Sequence, residues 1–151
     1  MLRRNVPVAF MKICWSKTWA DKLNAVIGRP NDQTTWEFVT ALLVLILWGT
    51  DHRDEGMALL GDNTAALASA ANLRGRGPLV LVARELAWRK VRFGWRYSVT
   101  HLPAEGNRWA DALSRLVAPE GTEAKCFPPE LEGVAEVPPP TFDAVWQLQD
   151  L

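Results

Sequence analysis

Residues 35–48 read Thr-Trp-Glu-Phe-Val-Thr-Ala-Leu-Leu-Val-Leu-Ile-Leu-Trp, and a helix drawn through them has apolar side chains on every side. A helix without a polar face must be covered all round, so it belongs at the centre of a core rather than on a surface. Its uninterrupted apolar run, Ala41 to Trp48, is far shorter than the ~20 residues needed to span a bilayer. Packed protein, not lipid, is therefore its expected surrounding. Glu37 is the only ionisable side chain in the stretch. A charge in such a helix is seldom fully buried unless it is paired or binds a cation. The plainer alternative is a first-turn Glu favoured by the helix dipole.

Around this helix the pattern alternates. A strand is expected over Val6 to Cys14, then a helix or irregular segment over Lys17 to Val26 and a turn. After the central helix come a charged loop (Thr50 to Gly56), a short strand (Met57 to Leu60) and a small-residue helix (Thr64 to Leu73). Gly75 and Gly77 end that helix, Pro78 suits the first turn of the next, Pro78 to Phe93, and Gly94 stops it. A strand over Trp95 to Thr100 and a helix over Asn107 to Val117 complete the series. Strands alternating with helices predict an α/β fold, a sheet flanked by helices. A chain of 151 residues, 48% hydrophobic, can bury one core.

Zero net charge conceals a division. Residues 118–151 hold seven acidic side chains against Lys125 alone, a net −6. Of the 17 basic and 17 acidic residues in the chain, 16 and 10 are left for residues 1–117, a net +6. The acidic stretch also contains Pro119, Pro128, Pro129 and the run Pro138-Pro139-Pro140. It reads as a disordered or polyproline tail, 118–151, appended to a domain over 1–117. Only Phe142 to Leu151 has the apolar character to dock, as a short helix. Cys14 and Cys126 form neither a spaced pair nor a His/Cys cluster, so a disulfide framework and a zinc site are both unsupported. There is no signal-peptide pattern, and an intracellular setting, cytoplasm or nucleus, is the default expectation.

Chemistry concentrates in three places. In His101-Leu-Pro-Ala-Glu-Gly-Asn107-Arg-Trp-Ala-Asp111-Ala-Leu-Ser-Arg115, a loop His follows a strand and Asn107 can cap a helix with Asp111 in its first turn. Ala110, Leu113 and Leu116 would be its apolar face. Asp62 ends the Met57–Leu60 strand just before a helix, where open α/β sheets place their sites. Asp62, Asn63 and Thr64 also each qualify as an ordinary N-cap. Glu37 is the third. Taken singly, each of these has an ordinary structural explanation.

Taken together, Trp36-Glu37, Asp62-Asn63-Thr64-Ala65-Ala66-Leu67 and His101 through Arg115 resemble the ribonuclease H domain fused to reverse transcriptases of Ty3/gypsy-type retroelements. The resemblance covers roughly residues 6 to 117. It implies a ribonuclease H-like mixed sheet flanked by helices, with Glu37, Asp62 and Asp111 as catalytic metal ligands and His101 assisting proton transfer or product departure. It also implies a pair of Mg²⁺ ions about 3.5–4 Å apart, for which Mn²⁺ can substitute, hydrolysing the RNA strand of an RNA–DNA hybrid. The family's first-strand Asp, in an Asp-x-Ser-x-x-Gly setting, has no counterpart here. The only acidic residues before Glu37 are Asp21 and Asp32, and neither follows an apolar strand. The expectation is an N-terminally shortened fragment of a retroelement polyprotein, lacking the first strand or strands, with little or no hydrolytic activity.

The helix over Pro78 to Phe93 adds a nucleic-acid expectation. Arg74, Arg76, Arg84, Arg89, Lys90, Arg92 and Arg96, with Trp88 and Trp95 among them, suit a phosphate backbone with aromatics against sugars or bases. A solvated basic helix with core tryptophans is the alternative. Asn63, Asn107 and Arg115 complete the expected nucleic-acid contacts, whereas Trp15, Trp19, Trp36, Trp48 and Trp109 are read as packing residues. Two other functions stay open: a non-catalytic nucleic-acid-binding module, and a structural domain whose proline-rich tail recruits partners.

Overall fold

The computed structural model describes residues 1–116 and 123–148. In chain order the elements are β1 (Leu2–Arg3), β2 (Val6–Pro7), β3 (Ala9–Phe10), α1 (Lys17–Leu23), α2 (Gln33–Trp48), β4 (Met57–Gly61), α3 (Thr64–Asn72), α4 (Leu79–Phe93), β5 (Tyr97–His101), α5 (Arg108–Ser114), β6 (Ala135–Glu136) and α6 (Phe142–Val145), with 3-10 turns at Pro30–Asp32 and Pro129–Leu131. The molecule is mixed α/β, and among the described residues no helix is long and apolar enough to cross a membrane. It divides into two compact units, each drawn from separate stretches of chain. The first is Met1–Cys14 with Pro103–Pro139, and the second is Trp15–Leu102 with Pro140–Leu151.

The second unit is built round α2. Phe38, Val39, Leu42, Leu43 and Leu45 are wholly buried and Trp36 and Trp48 nearly so, but the expected all-round burial is not reached: the stripe of Glu37, Thr40, Ala41, Val44 and Leu47 is only half-buried. The helix starts at Gln33, two residues before the expected Thr35, because the preceding 3-10 turn of Pro30–Asp32 runs straight into it. Helices α3 and α4 pack against α2. Strands β4 and β5 pair in parallel, with Met57 opposite Tyr97 and Gly61 opposite His101. Gly94, at φ +66°, ends α4 in a left-handed cap, a conformation that costs glycine little. Buried Trp95 then anchors the entry to β5, its indole N–H donating to Thr50 Oγ1 at 3.0 Å.

The first unit carries two small sheets. Arg4 and Asn5, both at positive φ (50° and 64°), make the two-residue turn that pairs β1 with β2 in an antiparallel hairpin. Strand β3 pairs in parallel with β6, Ala9 opposite Ala135. Phe10 meets Phe127 at 5.6 Å between ring centroids, and Lys12 reaches Glu136 at 3.3 Å. Helix α5 buries none of its residues: Ala110 is exposed, and Leu113 and Leu116 are half-buried.

Four expectations need correction. The strand expected over Val6–Cys14 is divided into β2 and β3, because Pro7 has no N–H to continue a ladder. In place of one mixed sheet the described residues form three two-stranded sheets. The boundary between a 1–117 domain and a disordered 118–151 tail does not hold over residues 123–148. There β6 pairs with β3, and α6 belongs to the second unit, with Val145 and Trp146 buried. Apolar burial outweighs the local proline and acid content; Val117 to Thr122 and residues 149–151 lie outside the described residues. Finally, His101 is the last residue of β5 and not a loop residue, since the β4–β5 ladder runs one register pair further than its apolar pattern.

Candidate functional site

The C-terminal end of the parallel pair gathers most of the expected chemistry. Strand β4 stops at Gly61, opposite His101, and the Leu102 N–H donates to the Gly61 carbonyl at 2.8 Å. Asp62 follows immediately. Asn63 is the N-cap of α3, its Oδ1 accepting from the Ala66 N–H at 3.0 Å, which satisfies an otherwise unpaired first-turn donor. Its amide also donates to Thr34 Oγ1 at 3.2 Å. That bond ties the start of α3 to the first turn of α2; one turn further on, and not in the first turn as expected, Glu37 lies half-buried and accepts from Gln33 Nε2 at 3.0 Å.

Glu37 and Asp62 feel one another. Burial, first, and then the Asp62 charge push the Glu37 carboxyl above its ordinary range, while the amides of Gln33 and Asn63 pull it down. A like charge beside a desolvated carboxylate is a standing cost unless a cation shares the site. Glu37, Asp62, Asn63 and the strand-end His101 thus occupy one end of one small sheet, as the topology of open α/β folds favours.

Asp111 belongs to the first unit, where its carboxylate is engaged by the Lys125 ammonium and by Arg115 Nε at 2.8 Å. The Lys125 hydrogen bond, aided by Arg115, holds the Asp111 carboxyl below the usual carboxylate range. Among the described residues no group of three or more His, Cys, Asp or Glu side chains is placed to hold a metal ion. Of the three expected carboxylates, Glu37 and Asp62 are brought together within the second unit, and Asp111 belongs to the first. Both acids that precede Glu37 are engaged locally. Asp21 is paired with Lys17, and Asp32 accepts from Arg29 Nε at 2.8 Å and from the Val26 N–H at 2.7 Å.

The expected nucleic-acid residues separate by environment. Arg74 and Arg76, with Arg84, line an open trough between α3 and α4 floored by small side chains such as Ala68, Ala83 and Ala87. Exposed Arg92 lies over the rings of Trp88 and Phe93 at 5.5 and 5.8 Å. Lys90 sits 4.6 Å above the Tyr97 ring. The Tyr97 hydroxyl donates to the Ala70 carbonyl at 2.7 Å, and burial pushes its pKa up to about 12. In the first unit, Arg115 is spent on Asp111, and Asn107 precedes α5 without a side-chain cap hydrogen bond.

Arg89, expected to contact nucleic acid, is instead buried. It is only 4% exposed and Glu85 only 2%, and the two face each other at 3.5 Å one turn apart on α4. Burial lowers the Arg89 pKa and the Glu85 charge opposes that fall. Glu85 is a partner that the sequence reading misses. Its i,i+4 spacing to Arg89, beside the apolar stripe of Val82 and Leu86, is the signal that could have found it. The packing tryptophans are as expected at Trp19, Trp36 and Trp48, which are buried; Trp15 is half-buried and stacks on Trp36 at 4.9 Å. Half-buried Trp109 carries Arg108 over its ring at 5.4 Å. No protein-family model, curated protein or solved structure matches the chain.

Proposed function

We propose that this chain is a ribonuclease H-like domain of retroelement lineage that binds nucleic acid, RNA–DNA hybrids in particular, with weak or no hydrolysis. The observation that carries the reading is the pairing of Glu37 with Asp62 through the Asn63 cap at the C-terminal end of β4 and β5. Two hard carboxylate donors suit one Mg²⁺ that keeps several waters. Such an ion, when bound at Glu37 and Asp62, would lower the pKa of a coordinated water and so supply a nucleophile. Gln33 and Asn63 orient the Glu37 carboxylate, and His101 at the strand end offers a proton carrier. With Asp111 committed to Lys125 and Arg115, the set falls short of what two ions need, which favours binding over turnover.

The binding half of the reading rests on the trough lined by Arg74, Arg76 and Arg84. Arginines along an open groove attract a phosphate backbone by counterion release, without regard to base sequence. The test is a labelled RNA–DNA hybrid titrated with the chain at several salt concentrations, with and without Mg²⁺. Salt-dependent binding with negligible cleavage is expected. Turnover that disappears in Asp62→Asn would mean that the two carboxylates form a working centre, and an absence of salt-dependent binding would remove the nucleic-acid reading altogether.

A further inference from the structure

Segment 141–148 is separated in sequence from the rest of the second unit by residues 103–139, which belong to the first unit. Nevertheless it is held like a bound peptide. The Arg89 guanidinium donates to the carbonyls of Ala144 at 2.7 Å and Val145 at 3.0 Å, and the Glu85 carboxylate accepts the Leu148 N–H. All three contacts read backbone, and they fix both the position and the direction of the stretch of peptide that lies there. The carbonyls are the ones a short helix such as α6 leaves without intrahelical partners.

Side chains supply the rest of the recognition. Val145 is wholly buried and Trp146 is 3% exposed. Phe142 meets Trp19 of α1 edge-on at 5.1 Å, and Trp146 meets the same ring at 5.9 Å. Lys22 lies 5.7 Å over the Trp146 ring. Phe142, Val145 and Trp146 stand at i, i+3 and i+4, the anchor spacing of a helix laid into a groove. A charged pair as buried as Glu85–Arg89 is costly, and the cost falls as its hydrogen-bonding capacity is filled. The segment fills it in part, through the Arg89 terminal nitrogen and Glu85 Oε1, while Glu85 Oε2 and Arg89 Nε face each other at 3.5 Å without a hydrogen bond. A strap held by hydrophobic contact alone would need neither charge.

We propose that α1 and α4 form a peptide-binding groove whose ligand is the chain's own segment Thr141–Leu148, held reversibly, so that the same segment from a second copy can take its place. The inference is independent of the nucleic-acid reading. In the intact chain the tethered segment competes at an effective concentration on the order of mM, so a free peptide at micromolar concentration finds the groove closed. Weakening the tethered segment opens it.

Two experiments on the full chain test this. In the first, a protease site placed between Pro139 and Pro140 is cut in the folded protein, and an excess of fluorescent peptide 140–151 is added. The cut segment should co-elute with the remainder on gel filtration and exchange with the labelled peptide. Its departure at once, with or without unfolding of the remainder, overturns the proposal, as does retention without any exchange. In the second, the labelled peptide is titrated into the Val145→Ala/Trp146→Ala chain and into the unaltered chain. Binding at least tenfold tighter to the variant is expected, abolished again when Arg89→Lys is added. Equal binding to both places the peptide elsewhere and overturns the proposal; should the variant fail to fold, the cut chain decides.

Discussion

Two helices carry the same local device with opposite outcomes. Glu85–Arg89 on α4 and Asp111–Arg115 on α5 are both acid-first ion pairs spaced i,i+4. In the first pair the side chains are 3% and 5% exposed, and each also holds the backbone of α6 or the residues after it. In the second, they are 25% and 55% exposed, and Asp111 shares its charge with Lys125. The separations within the pairs, 3.5 and 2.8 Å, differ far less than what surrounds them. A buried pair is committed: neither member can lose the other without leaving a charge out of water. A surface pair can always exchange its partner for solvent.

The largest effect should come from breaking the buried pair. Arg89→Ala is expected to lower unfolding free energy in urea by about 3–5 kcal/mol, the usual result of orphaning a buried charge. Glu85→Leu combined with Arg89→Met should cost less than either single change, because no charge is left alone. If Arg89→Ala proves as mild as a surface substitution, the burial contrast between the two helices is wrong.

Next in size is the effect on nucleic acid. Arg74→Ala with Arg76→Ala should flatten the salt dependence of hybrid binding by up to about 2 in log–log slope, roughly 0.9 for each phosphate no longer neutralised. Glu85→Leu with Arg89→Met, which removes the Arg89 charge without orphaning Glu85, should leave that slope unchanged, since the Arg89 side chain faces α6 and not solvent. A flattening by about 1 in that double variant would put Arg89 back on the binding surface.

Asp111→Asn is expected to cost about 0–1 kcal/mol, as exposed pairs do. Its carboxyl is held below the ordinary 3.8, so the stabilisation is present above that pH and disappears as pH falls through the depressed value. Denaturation curves of the two proteins should therefore converge in strong acid, and a difference that grows on acidification would contradict the pairing with Lys125 and Arg115.

Glu37→Gln gives the smallest change, and its sign is reversed. The Glu37 carboxyl is raised above 4.5, so its protonation favours the folded state below that pH and the contribution is lost as pH rises through the raised value. The Gln variant should be marginally more stable than the parent at pH 7 and indistinguishable from it below pH ~4. A parent that is the more stable at neutral pH would mean that burial and the Asp62 charge do not together burden Glu37. Added Mg²⁺ should narrow the neutral-pH difference, if the two carboxylates share an ion.

Much of the second unit is legible in the amino-acid sequence. The apolar run marks α2 as central, Gly94 marks the end of α4, and Asn63 is among the qualified caps for α3. Elements β4, α3, α4 and β5 lie within a residue or two of where their patterns put them, because each pattern is a record of its own element's burial. The approach of Asp62 to Glu37 follows from the topology of a strand end succeeded by a helix. What residue spacing does not carry is partnership over distance. A two-residue strand such as β6 has no periodicity to read, and its pairing with β3 spans most of the chain. Likewise Arg89 and Arg92 are both arginines on one basic helix, and only the arrival of α6 against one face of α4 makes the first a buried clamp and leaves the second to solvent. Local propensity and periodicity are properties of neighbouring residues; burial of a charge is a property of whatever long-range packing brings against it.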